Sequence, residues 1–321
     1  MAHKVDVIIP MYNRADCVVN IISELEKQTF KDFKAIFVDD GSKDNTYDVL
    51  TSELENAKFD YEIIKKENGG AGSARNAGMR AADAEWIAFV DSDDAFHPEY
   101  LEYMYKAVTE SKSDLGICGY QMVAEEKQDR IDDIGEFKYK TITPAEAMTH
   151  YCDGWLGVYC LMISRDMQQK KNLFFDEECC YCEDAPFITE VIEAAESVSL
   201  IEYKLYIYYI NIGSLSRSAS LNKFFSAIAA FARMEDKMAH SSSEAARVFN
   251  TFGSARYYIA TLRKAAVQMS YKNFMTLAKK VNFGFYKNQI SHLKGTLKIA
   301  SNIYLISKTV FYYVVNLLFK D

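Results

Sequence analysis

A chain of 321 residues, 49% hydrophobic and 26% charged, is long enough for about two domains and has too substantial a core to be a disordered chain. Its seven cysteines are irregularly spaced, and "MAHKVDVIIP" lacks a basic segment followed by a long apolar stretch and a cleavage site. A disulfide scaffold and a secretory leader are therefore disfavoured, and a cytoplasmic protein is expected. The net charge of −8 hides a split: from Leu221 onward there are 15 Lys+Arg against 4 Asp+Glu, a local +11 that leaves −19 for residues 1–220.

The first hundred residues alternate strand and helix signals. "VDVIIP" (Val5 to Pro10) is a short apolar run, and Asp16 is placed to cap a helix in which Val18, Ile21, Ile22 and Leu25 share one face. "KAIFVDD", a helix from about Asn45, "YEIIKK", a Gly-rich turn with its helix, and "WIAFVD" follow. This order predicts βαβ units and a mainly parallel sheet. "DLGICGYQMV" (Asp114 to Val123) reads as another strand, and the acidic "AEEKQDRIDDIGEFK" after it as a long loop or a hairpin. "TPAE" at Thr143 to Glu146 is a capping box, a further helix begins near Asp184, and "VSLIEYKLYIYYI" is a strand or hairpin.

Beyond Ser220 the pattern is helical. Phe249, Phe252, Ile259, Leu262, Ala266 and Met269 fall at helical spacings, and "HSSSE" (His240 to Glu244) marks a break before them. In the apolar "IASNIYLISKTVFYYVVNLLFKD", Asn302, Thr309 and Asn316 lie seven apart. That predicts one amphipathic helix with a polar stripe, lying on a membrane surface or buried in a helical domain or dimer interface.

In an open parallel sheet, ligands bind outside the carboxyl ends of the strands. Three such ends carry polar residues: Tyr12-Asn13, Asp39 to Ser42, and Asp91 to Asp94. Three aspartates within four positions repel one another unless a cation or water screens them, so Asp91, Asp93 and Asp94 read either as an exposed Asp-rich turn or as a divalent-cation site. "NGGAGSARNAGM" adds glycines that let backbone approach a ligand, and Arg75 carries a fork of donors suited to phosphate. It lacks the final glycine of a dinucleotide fingerprint and does not follow the first strand.

Taken in order, "VDVIIPMYN", "FVDDGSKDNT", "NGGAGSARNAG", "FVDSDD" and "CEDAPF" resemble glycosyltransferase family 2 enzymes of the GT-A fold, over roughly residues 3–217. The resemblance implies a Rossmann-like nucleotide-binding domain at 1–220, followed by a basic helical region at 221–321 for membrane-surface association or oligomerisation. It also implies an inverting transfer of one sugar from a UDP-sugar to a hydroxyl of a saccharide acceptor. Asp40 would accept a hydrogen bond from uracil, Pro10, Tyr12 and Asn13 would line the base pocket, and Gly72, Arg75 and Asn76 would pack on the nucleotide. Asp91-Ser92-Asp93 matches the DxD motif, with Asp93 and then Asp91 as ligands of Mn²⁺ or Mg²⁺. Asp184 matches the catalytic base, Glu183 is placed to orient the acceptor, and Arg217 to reach the diphosphate. Trp155 is a candidate platform for an acceptor sugar ring.

Cys182 stands where relatives often have Gly. Cys179, Cys180 and Cys182 lack partners at zinc-ligand spacing and read as reduced thiols. The Q-x-x-R-W motif of processive relatives is absent, which favours single-sugar addition in capsule, lipopolysaccharide or exopolysaccharide assembly. The basic C-terminal half suggests an inner-membrane surface and a lipid-linked acceptor, with a homo-oligomer as the other use; no nucleic-acid motif accompanies it. The competing function is a catalytically inactive nucleotide-sugar-binding or scaffold protein.

Overall fold

A computed structural model describes residues 3–124, 137–154, 156–210, 220–281 and 283–319. Arg217, Trp155 and most of the acidic segment after Ala124 fall outside them.

Four strands build the parallel half of the sheet: β1 (Val5–Met11), β2 (Phe33–Asp39), β3 (Asp60–Lys65) and β4 (Trp86–Phe89). Between them run α1 (Val18–Glu26), α2 (Thr46–Leu54) and α3 (Ala71–Ala81). Then follow β5 (Ala95–Phe96), α4 (Tyr100–Ser111), β6 (Leu115–Ala124), β7 (Tyr139–Ile142), α5 (Pro144–Asp153), β8 (Leu161–Ser164), α6 (Arg165–Lys170), α7 (Asp184–Ala194) and β9 (Val198–Ile210). The strands form one sheet in the order β3-β2-β1-β4-β8-β6-β9-β5, with β7 paired to β9. β1 runs parallel to both β2 and β4, whereas β8 is antiparallel to β4 and β6. The expected βαβ architecture is therefore found, extended by a mixed half that strand periodicity did not reveal.

Alternation along β1 explains the two cores. Val5, Val7 and Ile9 belong to one buried cluster with α1, α2 and α4, while Ile8 faces a second cluster with α3, α5 and α7. Helix α3 lies hard against β1 because Gly78 has no side chain: a Cβ there would stand 2.5 Å from Ile8 Cγ2. The helix expected from Asp16 starts one residue later, with Cys17 at its cap and no side-chain capping bond. The Thr143 box forms as read, with Thr143 and Glu146 capping reciprocally. β9 is a single strand of 13 residues, not a hairpin, because it pairs with β6 on one side and with β5 and β7 on the other.

The C-terminal helices are α8 (Leu221–His240), α9 (Glu244–Val248), α10 (Ser254–Gln268), α11 (Tyr271–Ala278), α12 (Lys287–Ile290), α13 (Gly295–Ile306) and α14 (Lys308–Phe319). Their buried residues, Phe224 through Val315, join the same cluster as Ile8 and Phe89, so the core continues across residue 220. Part of the basic excess is met there by the acidic half: Arg233 pairs with Asp176, Lys237 with Glu190 and Lys294 with Asp153.

The apolar tail is two helices broken at Ser307, not one; of the predicted polar stripe Asn302 is exposed, whereas Thr309 and Asn316, with Lys308, turn inward. Asn316 Nδ2 donates to the Ala266 carbonyl at 2.6 Å, Lys308 Nζ to the Ala278 carbonyl at 2.7 Å, and Thr309 shares a hydrogen bond with the Tyr271 hydroxyl. Ile306, Val310, Tyr313 and Leu317 face outward instead, with Ile306 85% and Leu317 84% exposed. Among the described residues, no helix is long and apolar enough to cross a membrane.

Candidate active site

At the carboxyl edge of the parallel strands lies a cleft of about 600 Å³, of a size that suits a small-molecule ligand. One side is built from strand ends: Pro10 and Tyr12 after β1, Asp40 after β2, Ala71 and Arg75 from α3, and Asp91, Ser92 and Asp93 after β4. The floor carries Glu183 and Asp184, delivered by the N-terminus of α7.

Arg75 holds this acidic floor together. Its side chain is 5% exposed; Nη2 donates to Asp91 Oδ1 at 2.9 Å, and Nη1 to Glu183 Oε1 and Asp184 Oδ1, both at 3.1 Å. Burial opposes its charge, but Asp184, Asp91 and Glu183 together raise its pKa further. The fork read from sequence as a phosphate clamp is thus engaged by three carboxylates. Burial pushes Asp184 up to about 7, with Arg75 opposing and Glu183 and Asp91 adding to the rise. The Asp184 side chain is still 29% exposed to the cleft, and its second oxygen accepts from the Val158 N–H at 3.4 Å. A carboxylate that sits in an open cleft and titrates near neutrality can take a proton from a bound hydroxyl.

Cys182 lies in the left-handed region, φ +57°. A residue without a Cβ adopts that conformation at no steric cost, so glycine is the residue this backbone position favours. Cys179, Cys180 and Cys182 are free thiols.

The three aspartates after β4 separate in space. Asp94 turns inward, 5% exposed, and accepts from the Tyr209 N–H; burial, then Asp91 and Asp93, hold its carboxyl well above the usual range. Asp91 pairs with Arg75, and Asp93 accepts from Arg14 Nη2 at 3.1 Å. Among the described residues, no three His, Cys, Asp or Glu side chains converge into a metal cage. What the cleft offers is two carboxylates, about a quarter exposed, each already facing a cation. Such a set fits a hard divalent ion that takes its remaining oxygens from phosphate and water.

Of the other residues singled out in the sequence, Pro10, Tyr12, Asp40, Arg75, Asp91, Ser92, Asp93, Glu183 and Asp184 line the cleft, and Asn13, Gly72 and Asn76 do not. Asp40 Oδ1 accepts from Lys66 Nζ and the Gly69 N–H, and Oδ2 from Asn68 Nδ2 and the Gly70 N–H, which fills its four acceptor directions. Asn13 is exposed and ties its loop to Ser42 and Lys43. Asn76, 1% exposed, exchanges hydrogen bonds with the Phe175 backbone and reaches Glu177. Gly72 packs beneath Phe175, where a Cβ would stand 3.2 Å from Phe175 Cβ.

Two features escaped the sequence reading. Arg14 sits in the same strand-end loop as Tyr12 and was overlooked beside it. The far wall of the cleft carries Lys223 of α8 and Arg256, Arg263 and Lys264 of α10. Seven- and eight-residue spacing from Arg256 puts these α10 cations on one helical face.

Comparison with known proteins agrees with this geometry. The model described as "Glycosyl transferase family 2" matches residues 6–160. The uncharacterized glycosyltransferase EpsJ of Bacillus subtilis is 30% identical over 223 residues, 67% of this chain but only 64% of its own length. The putative glycosyltransferase EpsH of the same organism is 30% identical over 237 residues, 71% of this chain and 67% of its length. A solved complex of Staphylococcus aureus TarS with UDP-GlcNAc has the same fold, with TM-score 0.64 at 20% identity, covering 96% of this chain and 82% of that one. The strand-end motifs, the sheet order and an identity carried along two thirds of EpsH agree on one conclusion: this chain belongs to glycosyltransferase family 2.

Proposed function

We propose that this chain is a metal-dependent, inverting glycosyltransferase that moves one sugar from a UDP-sugar to a hydroxyl of a lipid-linked saccharide in bacterial surface-polysaccharide assembly. The observation that carries the proposal is Asp184, a carboxylate raised to about 7, facing the Asp91–Asp93 strand end across one cleft. In this scheme Pro10, Tyr12 and Asp40 hold the base, and a uracil N–H bonded to Asp40 displaces one of its present donors. Asp93 and Asp91 would hold Mn²⁺ or Mg²⁺, which supplies Lewis-acid stabilisation of the departing diphosphate when bound. Asp184 takes the acceptor hydroxyl's proton as that oxygen attacks the anomeric carbon. The bond to UDP breaks on the opposite face, so the configuration inverts.

Calorimetry tests the donor half. UDP should bind with Mn²⁺ present and lose at least tenfold in affinity in Asp93→Ala, a loss of about 1.4 kcal/mol or more. Equal binding of UDP, GDP and dTDP, or none of any, would remove the donor assignment and favour a scaffold.

The membrane half is supported by charge and exposure. The outward apolar residues of α13 and α14 are accompanied by Lys298, and the stretch from Ala245 to Phe319 contains no Asp or Glu. Two copies of such a face repel each other, whereas an anionic bilayer attracts it. The full-length protein should sediment with phosphatidylglycerol-containing liposomes at low salt and less so at 0.5 M salt or in Leu317→Asp. Failure to sediment at any salt would leave the face to contacts between copies.

A further inference from the structure

The far wall of the cleft is cationic. Arg256, Arg263 and Lys264 project from one face of α10, joined by Lys223 from α8. Arg256 Nη2 donates to the Gly154 carbonyl at 2.7 Å, which anchors its guanidinium at the cleft rim. Lys264 lies 5.6 Å from the centre of the Tyr181 ring, three residues before the proposed base. Glu235 on α8 accepts hydrogen bonds from the Tyr258 and Tyr286 hydroxyls. The strand-end side of the cleft, where a nucleotide diphosphate would lie, has its own cations, Arg14 and Arg75.

This wall opens directly onto the exposed apolar face. The Arg263 guanidinium stands 5.0 Å from the centre of the Phe319 ring, at the end of α14, next to outward-facing Leu317 and Leu318. Arg263 thus borders both the cleft that holds Glu183 and Asp184 and the end of α14, where Leu317, Leu318 and Phe319 are exposed. In an inverting attack the acceptor oxygen, within reach of Asp184, approaches the anomeric carbon from the face opposite the departing diphosphate, so the acceptor enters from the side of the cleft away from the nucleotide phosphates. The cations of α8 and α10 line the cleft on elements other than the strand ends that carry Arg14 and Asp91 to Asp93.

We infer that Arg256, Arg263 and Lys264 form an acceptor subsite for a saccharide joined through a diphosphate to a lipid, with the diphosphate on these cations and the tail along α14. The inference rests on the function proposed above and deepens it. Arginine forks suit the paired phosphate oxygens, and the exposed apolar side chains next to them suit a hydrocarbon chain.

Farnesyl diphosphate is a simple probe, offered to protein already saturated with UDP and Mn²⁺ so that the donor side is filled. It should bind at least tenfold more tightly than inorganic pyrophosphate, which has the charge without the tail. Arg263→Gln and the double variant Arg263→Ala/Lys264→Ala should each weaken it about tenfold or more, with UDP affinity unchanged as the control for folding. Leu317→Ser should weaken farnesyl diphosphate but leave pyrophosphate unaffected. Equal affinity for the two probes would overturn the lipid tail, and a short glycerol-phosphate oligomer binding better than either would assign the wall to a phosphodiester polymer instead. Loss of UDP affinity in the Arg263 variants would place these cations on the donor and also overturn the inference. Absence of UDP binding in the wild type is a separate failure, that of the donor site itself, and the inference would fall with it.

Discussion

Asp184→Asn should lower the rate of sugar transfer by about 10²–10⁴, the usual contribution of a positioned general base, while UDP binding stays within a factor of two or so. The amide keeps the shape of the side chain and its contact with the Val158 N–H region but cannot take a proton. The pH profile gives an independent reading of the same group. The active form is the carboxylate, so kcat/KM should fall tenfold per pH unit below about 7, the value to which burial pushes Asp184, and level off above it. Measuring transfer or donor hydrolysis across a panel of UDP-sugars from pH 5 to 9 checks both. A limb near pH 4 would mean that Asp184 is solvated like an ordinary surface carboxylate, and a fully active Asn variant would move the base to Glu183.

Arg75→Met should be the most damaging substitution for stability. Removing the guanidinium leaves Asp91, Glu183 and Asp184 facing one another without their shared counter-charge. Breaking a buried pair from one side costs about 3–5 kcal/mol, because the remaining charge is left uncompensated. In a chain of this size that is a fall in Tm of about 5–7 °C. Arg75→Lys keeps a charge but not the fork that reaches three carboxylates, so its melting point should lie between the two. A Tm for Arg75→Met equal to that of the wild type at pH 7.5 would show that solvent, not Arg75, stabilises the acidic floor.

Much of the site was legible because its signals are local. Asp40, Asp91 and Asp93 stand at the ends of apolar runs, and a parallel sheet gathers such ends on one edge whatever the details of packing. Asp184 was marked by "CEDAPF" at a helix start. Arg75 shows the limit: its residue type promised a phosphate clamp, but two of its three partners lie 108 and 109 positions away. Asn76 likewise resembled a ligand contact until Phe175 and Glu177, about a hundred residues further on, were seen to occupy its amide. The mixed half of the sheet was less legible because β5 and β8 have two and four residues, too few for periodicity to declare them.

By itself, then, the sequence determined the order of strands and helices in the parallel half of the sheet, the edge on which its carboxylates gather, and the charge contrast between the two halves of the chain. These follow from residue type and short spacing, which act through local conformation. Only the tertiary structure decided which carboxylates Arg75 serves, that Asp94 turns inward, and that Arg256, Arg263 and Lys264 line the same cleft as Asp184. It also decided that the last two helices present their apolar residues outward. Helical periodicity defines a face but not its direction: Asn316, Thr309 and Lys308 turn inward because Ala266, Tyr271 and Ala278 offer them hydrogen-bond partners there.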